Sequence, residues 1–231
     1  MAILPDAAQA AYDKAAVARS LSLPAIPEDL QLLEEDGFTP EPGQALEAID
    51  ARNLIIAGED FSELESARAR FTSCFLSSCD FANSQFTDAI FEGCDFANST
   101  FDGAGFSRCV FRNCKFTGAS FEEASWENVA VEDCTFAYGG FHRCRWWAVE
   151  ARRCDFSGAD MAEMELHYLT LDDDRFVGTN FFRTPLLGID FTSCQLEAVS
   201  LSDAMGEIYG TKMSLYQAAG LARRLGVIVE E

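Results

Sequence analysis

Basic residues are scarce in this chain of 231 residues. Lys and Arg number 17 against 38 Asp and Glu, a formal charge of -21. So little positive charge excludes a nucleic-acid binder or a protein held on anionic membranes, since both need cations to meet phosphate. It favours a partner that is itself basic. Long apolar runs are missing as well: no stretch approaches the ~20 residues of a membrane-spanning helix. The 48% apolar content nevertheless rules out a disordered acidic tail. The opening MAILPDAAQAAYDK has no charged segment ahead of an apolar run, so no signal peptide is expected. Histidine occurs only at His142 and His167, with no Ser or Cys nucleophile at an obvious spacing, which points away from an enzyme. Tyr and Trp are few, 5 and 3, against 20 Phe.

Phe is abundant because it recurs every five residues. Steps of five from Phe61 to Leu201 give 29 positions in unbroken register, 17 of them Phe, and only Ser66 is polar. The residue two before each centre is Ala, Cys, Ser, Thr, Gly or Val at 23 of the 29. A period of five fits neither a helix nor a strand. It needs a chain that turns inward twice per pentad, once with a large side chain and once with a small one. Pentads such as CDFAN at 79–83 and again at 94–98, and CKFTG at 114–118, resemble the pentapeptide-repeat family over residues 59–203. The resemblance implies an all-β fold, a right-handed quadrilateral β-helix with four pentads per coil, its ends closed by caps.

All nine cysteines (Cys74, Cys79, Cys94, Cys109, Cys114, Cys134, Cys144, Cys154 and Cys194) fall at the small inward position. There they read as apolar filler rather than disulfides or metal ligands. Free thiols fit a reducing, cytoplasmic setting. No metal or cofactor is expected. Around 164–174 the small position holds Met164, Leu169 and Asp174, so a widened coil is expected, with Asp174 turned outward or supplied with donors.

Sorting pentads into four faces concentrates the charge. The face of Phe61, Phe81 and Phe101 carries Glu59, Asp60, Glu63, Asp80, Asp102, Glu122, Glu123, Asp160, Glu163 and Asp203 against Arg143 and Arg183, a net -8. The other three faces sum to -1, -3 and -2. A net -14 over seven coils is about one charge per 2.5 Å, near the ~1.7 Å of duplex DNA. The face of Ser66 instead exposes Trp147, Tyr168 and Leu187 on successive coils, an apolar docking patch unless the N-terminal arm covers it.

The flanks read as helical. Five of six prolines lie in the first 42 residues, which marks residues 1–45 as an arm or cap. Residues 6–21 read as an Ala-rich helix with Asp6 as N-cap, and a second short helix is expected from Pro27 towards Gly37. The repeat is assigned to 46–205. In the remainder, 206–231, Leu215, Ala218, Ala222 and Leu225 mark one face of a helix, and Gly226 stops it. Tyr216-Gln217-Ala218 and Arg224-Leu225-Gly226-Val227 resemble the C-terminal element of the gyrase-protecting Qnr, MfpA and AlbG group of this family. The resemblance implies a homodimer through Leu215, Tyr216, Ala218, Leu221, Ala222, Leu225 and Val227. It also implies a DNA mimic that binds DNA gyrase or topoisomerase IV through the acidic face, giving antibiotic resistance or self-immunity. The unbroken register offers no counterpart to the projecting loops of the Qnr type. The alternative is an interaction scaffold or effector that docks through the apolar patch.

Overall fold

The structure, a computed structural model, describes residues 20–33 and 41–230. Within the repeat each pentad bends the chain at the residue two past its large centre. There φ is 58° at Asn83, 57° at Asn98, 68° at Gly103 and 59° at Tyr138. Left-handed backbone costs an ordinary side chain roughly 1–2 kcal/mol and costs Asn and Gly least. Asn and Gly recur at this position, but Glu63, Arg68, Arg108 and Tyr138 take the same conformation, so the five-residue period sets the corners. Between corners the large and small residues both face the axis, and the chain closes into a four-sided solenoid of about 8 turns.

The strands are β1 (Gln31–Leu33), β2 (Ala45–Glu47), β3 (Ile49–Arg52), β4 (Glu65–Thr72), β5 (Gln85–Glu92) and β6 (Gly105–Arg112). There follow β7 (Ser125–Glu132), β8 (Arg145–Arg152), β9 (Glu165–Asp172), β10 (Arg175–Val177), β11 (Gln195–Glu197) and a terminal helix, α1 (Leu215–Arg224). Strands β3 to β9 pair in parallel, in sequence order, across two adjoining faces. Their register aligns Phe86 with Phe106, then Trp126, then Trp146. The other two faces are joined by single bridges, such as Asp80 to Thr100 and Lys115 to Thr135.

This register stacks like on like. Phe61, Phe81, Phe101, Phe121 and Phe141 form one column, with successive ring centroids 4.9 to 5.0 Å apart. Phe96, Phe116, Phe136, Phe156 and Phe176 form another at 4.9 to 5.1 Å. The spacing matches the strand separation, so backbone pairing and ring stacking reinforce each other. Rings in adjoining columns meet edge to face, as Phe111 meets Phe116 at 5.4 Å. All nine cysteines are buried and free. Hydroxyls at the same small position serve two coils at once: Ser84 Oγ accepts from Leu64 N at 3.1 Å and donates to Phe61 O at 3.0 Å.

The flanks depart from expectation. The helix at 6–21 falls almost wholly outside the described residues, and so does Gly37. The helix expected from Pro27 is absent: residues 27–30 are irregular and Gln31–Leu33 is a strand on β3. Pro24 and Pro27 stiffen an extended chain here rather than starting a helix. The arm runs along the Ser66 face, where Ala25 N donates to Asp88 Oδ1 at 3.1 Å and Ser22 N to Asn128 Oδ1 at 3.3 Å. At the other end the solenoid passes residue 205. Asp190 still bridges Lys212, and Ile208 and Met213 pack on the core. The offset of 22 in that bridge, where 20 ruled before, marks two residues inserted after Leu201.

Candidate partner-binding surfaces

On the acidic face the side chains divide by height. Glu59, Asp60, Glu63, Asp80, Glu122 and Glu123 are exposed and Asp102 is half-exposed. No Lys or Arg shares that face up to Glu123. These seven carboxylates span four coils, about 15 Å at the strand spacing. Above them the stripe breaks. Glu163 is gripped by Arg143 Nε at 3.2 Å and Arg183 Nη1 at 3.3 Å, with His142 Nε2 at 3.8 Å. The Arg143 guanidinium, chiefly, holds the Glu163 carboxyl below the usual range. Asp160 and Asp203 are exposed, so three acids face two arginines in the upper half. The continuous stripe expected from the modulo-20 count is therefore a lower block of net -7 and an upper one of net -1. Counting by face could not see this, because it sums over height.

Several of these carboxylates also cap turns. Asp60 Oδ1 accepts from Ser62 N at 2.9 Å and Asp80 Oδ1 from Ala82 N at 2.8 Å. Asp102 Oδ1 takes Glu122 N at 2.9 Å. The hydrogen bonds from Ser62 hold Asp60 below its ordinary pKa. Glu122 and Glu63 project without such ties, while Glu123 Oε1 lies 3.8 Å from Arg143 Nη1.

Helix α1 begins at Ser214, whose hydroxyl accepts from Gln217 N while the Gln217 side chain accepts from Ser214 N, a capping box. One face closes the solenoid. Gln217 Nε2 donates to Phe191 O and Cys194 O, both at 2.8 Å, Leu221 packs on the core, and Arg224 Nη1 donates to Val199 O. The opposite face is bare: Leu215 is 82% exposed, Tyr216 88% and Leu225 66%, with Ala218 and Val227 exposed too. Of the seven dimer residues expected from sequence, Leu221 is turned towards the last coil. Ala222 is half-buried. Ile228, 89% exposed, extends the bare face and was missed.

The apolar patch is smaller than expected. Trp147, 37% exposed, meets Tyr168 edge-on at 4.9 Å and His167 at 5.0 Å. Leu187 does not join them. It is half-buried, its Cδ1 lying over Gly210. The described arm, bonded at Asp88 and Asn128, makes no hydrogen bond to the patch. Phe75 and Phe182, two of the three Phe outside the five-residue register, are also exposed, at 42% and 38%. Being out of register was the signal for them.

Asp174 stays in the lumen wall, 1% exposed, and finds donors in Cys154 N at 2.8 Å and Asp172 N at 3.1 Å. Burial pushes its pKa up to about 6. Among the described residues no group of three His, Cys, Asp or Glu is placed to hold a metal ion, and no helix is long and apolar enough to cross a membrane.

Residues 84–153 match the family model described as pentapeptide repeat region. Solved structures align at low identity. A trypsin-treated form of QnrB1, described as a plasmid-mediated fluoroquinolone resistance protein, is 19% identical over 79% of this chain and 100% of its own, with a TM-score of 0.44. HetL, a pentapeptide repeat protein involved in heterocyst differentiation regulation from Nostoc sp. strain PCC 7120, is 14% identical over 72% and 87%, with a TM-score of 0.37. No curated protein matches.

Proposed function

This chain is a pentapeptide-repeat protein, and on that premise we propose that it imitates duplex DNA and occupies the basic DNA-gate surface of a type II topoisomerase, DNA gyrase or topoisomerase IV. The outcome is protection of that enzyme from a poison, with no chemistry performed by this chain. The observation that carries the reading is the lower acidic block: seven carboxylates on one face, of which Glu123 alone has an arginine in reach, Arg143 at 3.8 Å. A stiff column bearing such a block complements a groove built for phosphate, and its field steers the encounter. The bare face of α1 supports a homodimer, since Leu215, Tyr216 and Leu225 together present an apolar surface at one end. End-to-end pairing there places an acidic block at each far end.

The test is a supercoiling assay with and without a fluoroquinolone. Asp80→Asn, Asp102→Asn, Glu122→Gln and Glu123→Gln together remove charge while an amide oxygen can still accept from Ala82 N and Glu122 N. This set should weaken topoisomerase binding by about tenfold or more. Asp160→Asn with Asp203→Asn, in the upper block, should change it little. Equal effects from both sets would remove charge mimicry as the mechanism. A second reading, a scaffold that docks a protein without imitating DNA, is favoured by the exposed Trp147–Tyr168 pair and predicts that neither set matters.

A further inference from the structure

Among the described residues one buried carboxylate is only half used. Asp50 is 7% exposed, and Arg52 reaches it from two positions further along β3. A guanidinium fork commonly takes both carboxylate oxygens, as Arg108 takes Asp88 Oδ1 and Oδ2, each at 2.7 Å. Arg52 instead sends both bonds to Oδ2, from Nη2 at 2.5 Å and from Nε at 3.0 Å. Asp50 Oδ1 is buried and has no hydrogen-bond partner. A buried charged acceptor left unmet is costly, and such groups are rare in a native fold.

Asp50 lines a crevice of about 570 Å³ between the arm and the first coils. The arm is fixed on both sides of it, by Ala25 N on Asp88 and by the pairing of β1 with β3, so its walls are set before anything binds. On the arm side stand Ile26, Pro27, Leu30 and Leu32, the last of them 53% exposed. On the coil side Arg70 is the register partner of Asp50, one strand up and about 4.8 Å away. Its guanidinium pairs with no carboxylate among the described residues. Glu28 completes the polar lining, so Asp50 and Glu28 face Arg52 and Arg70. A largely apolar crevice with a few convergent polar groups is the usual form of a small-molecule site, and this volume lies within the common range of roughly 300–1,000 Å³.

The charges choose the ligand. A simple anion would meet Asp50 and Glu28, and a simple cation would meet Arg52 and Arg70. A molecule with both charges on one carbon meets neither obstacle, because Asp50 and Arg70 are themselves neighbours. We propose that the crevice binds a free α-amino acid with an apolar side chain. Its ammonium donates to Asp50 Oδ1, its carboxylate accepts from Arg70, and its side chain lies against Ile26, Pro27 and Leu32. The Phe71 face that carries this crevice is opposite the acidic block, and the inference does not depend on the topoisomerase reading.

The probe is L-phenylalanine, titrated into the full chain and followed by saturation-transfer NMR. It should bind with a Kd of about 1 mM or below. Phenethylamine lacks the carboxylate, 3-phenylpropionate lacks the ammonium and glycine lacks the apolar group. Each should bind at least about tenfold more weakly. Asp50→Asn and Arg70→Gln should each weaken L-phenylalanine by about tenfold or more. Arg70→Gln should leave Tm unchanged, since that guanidinium holds no carboxylate in the free chain, and so separates a lost contact from misfolding. Arg112→Gln, the same change of charge on the same face, should leave binding as it is. The proposal is overturned if L-phenylalanine does not bind at about 10 mM, or if either single-charge analogue binds as tightly. It is equally overturned if Arg70→Gln or a folded Asp50→Asn binds as well as the wild type, or if Arg112→Gln weakens binding to the same extent.

Discussion

Asp174 sits where the column above and below it holds Cys194 and Cys154, and its two backbone donors do not replace water. A carboxyl whose pKa rises from 3.8 to about 6 on folding takes up a proton as the chain folds. The native state therefore gains stability as pH falls through 6 towards 4 and loses it as pH rises through 6. Two pKa units correspond to about 3 kcal/mol at most. Asp174→Ser copies the arrangement of Ser84, whose hydroxyl both accepts and donates between coils. It should raise stability at pH 7.5 by about 1–3 kcal/mol and flatten the dependence of Tm on pH between 5 and 7.5. Urea unfolding at several pH values checks this, and a wild-type curve that does not steepen near pH 6 would refute it. Glu207 is the opposite case. Burial opposes its charge, yet Arg183 N, Ser202 N and Ser202 Oγ, at 2.9 to 3.0 Å, hold it below the ordinary carboxylate range. Its contribution is present at neutral pH and fades as acid protonates it. Glu207→Leu removes the acceptors on which all three donors depend. It should cost about 2–3 kcal/mol and speed exchange at the Arg183 and Ser202 amides first.

Helix α1 has two faces with different work, and single substitutions separate them. Leu221 and Gln217 seal the last coil, and Leu225 touches solvent. Leu221→Ala should lower stability by about 1–3 kcal/mol and leave the oligomeric state alone. Leu225→Asp should change the unfolding free energy by less than about 1 kcal/mol and convert dimer to monomer in light scattering. A monomeric wild type would end the dimer reading. The helix's existence was legible from Ser214 with Gln217 and from its apolar spacing. Which stripe turns inward was not, because that depends on where the last coil presents Phe191 O and Cys194 O for Gln217. The Pro-rich arm likewise had the composition of a boundary, but its strand pairing with β3 is decided by a partner 18 residues away.

Charge belongs to the whole column. Unpaired carboxylates within a Debye length add their fields, whereas Glu163, pinned between two arginines, contributes little outside its own cluster. Topoisomerase binding should therefore fall steeply from about 50 to 300 mM salt. The four-site neutralised variant should show a shallower slope than the wild type in the same titration. A binding constant indifferent to salt would rule out an electrostatic interface.

The five-residue register by itself determined which side chains turn inward, and so the burial of the large centres and the nine thiols, while the four-sided coil was legible through the resemblance of its pentads to the repeat family. It also flagged the irregular coil at 164–174. Only the tertiary structure decided what depends on neighbours 20 residues away. It paired Arg143 and Arg183 with Glu163 and so cut the acidic stripe, and it turned Leu187 away from Trp147. Periodicity specifies which way a side chain points, while charge pairing and strand pairing are settled by what stands one coil above.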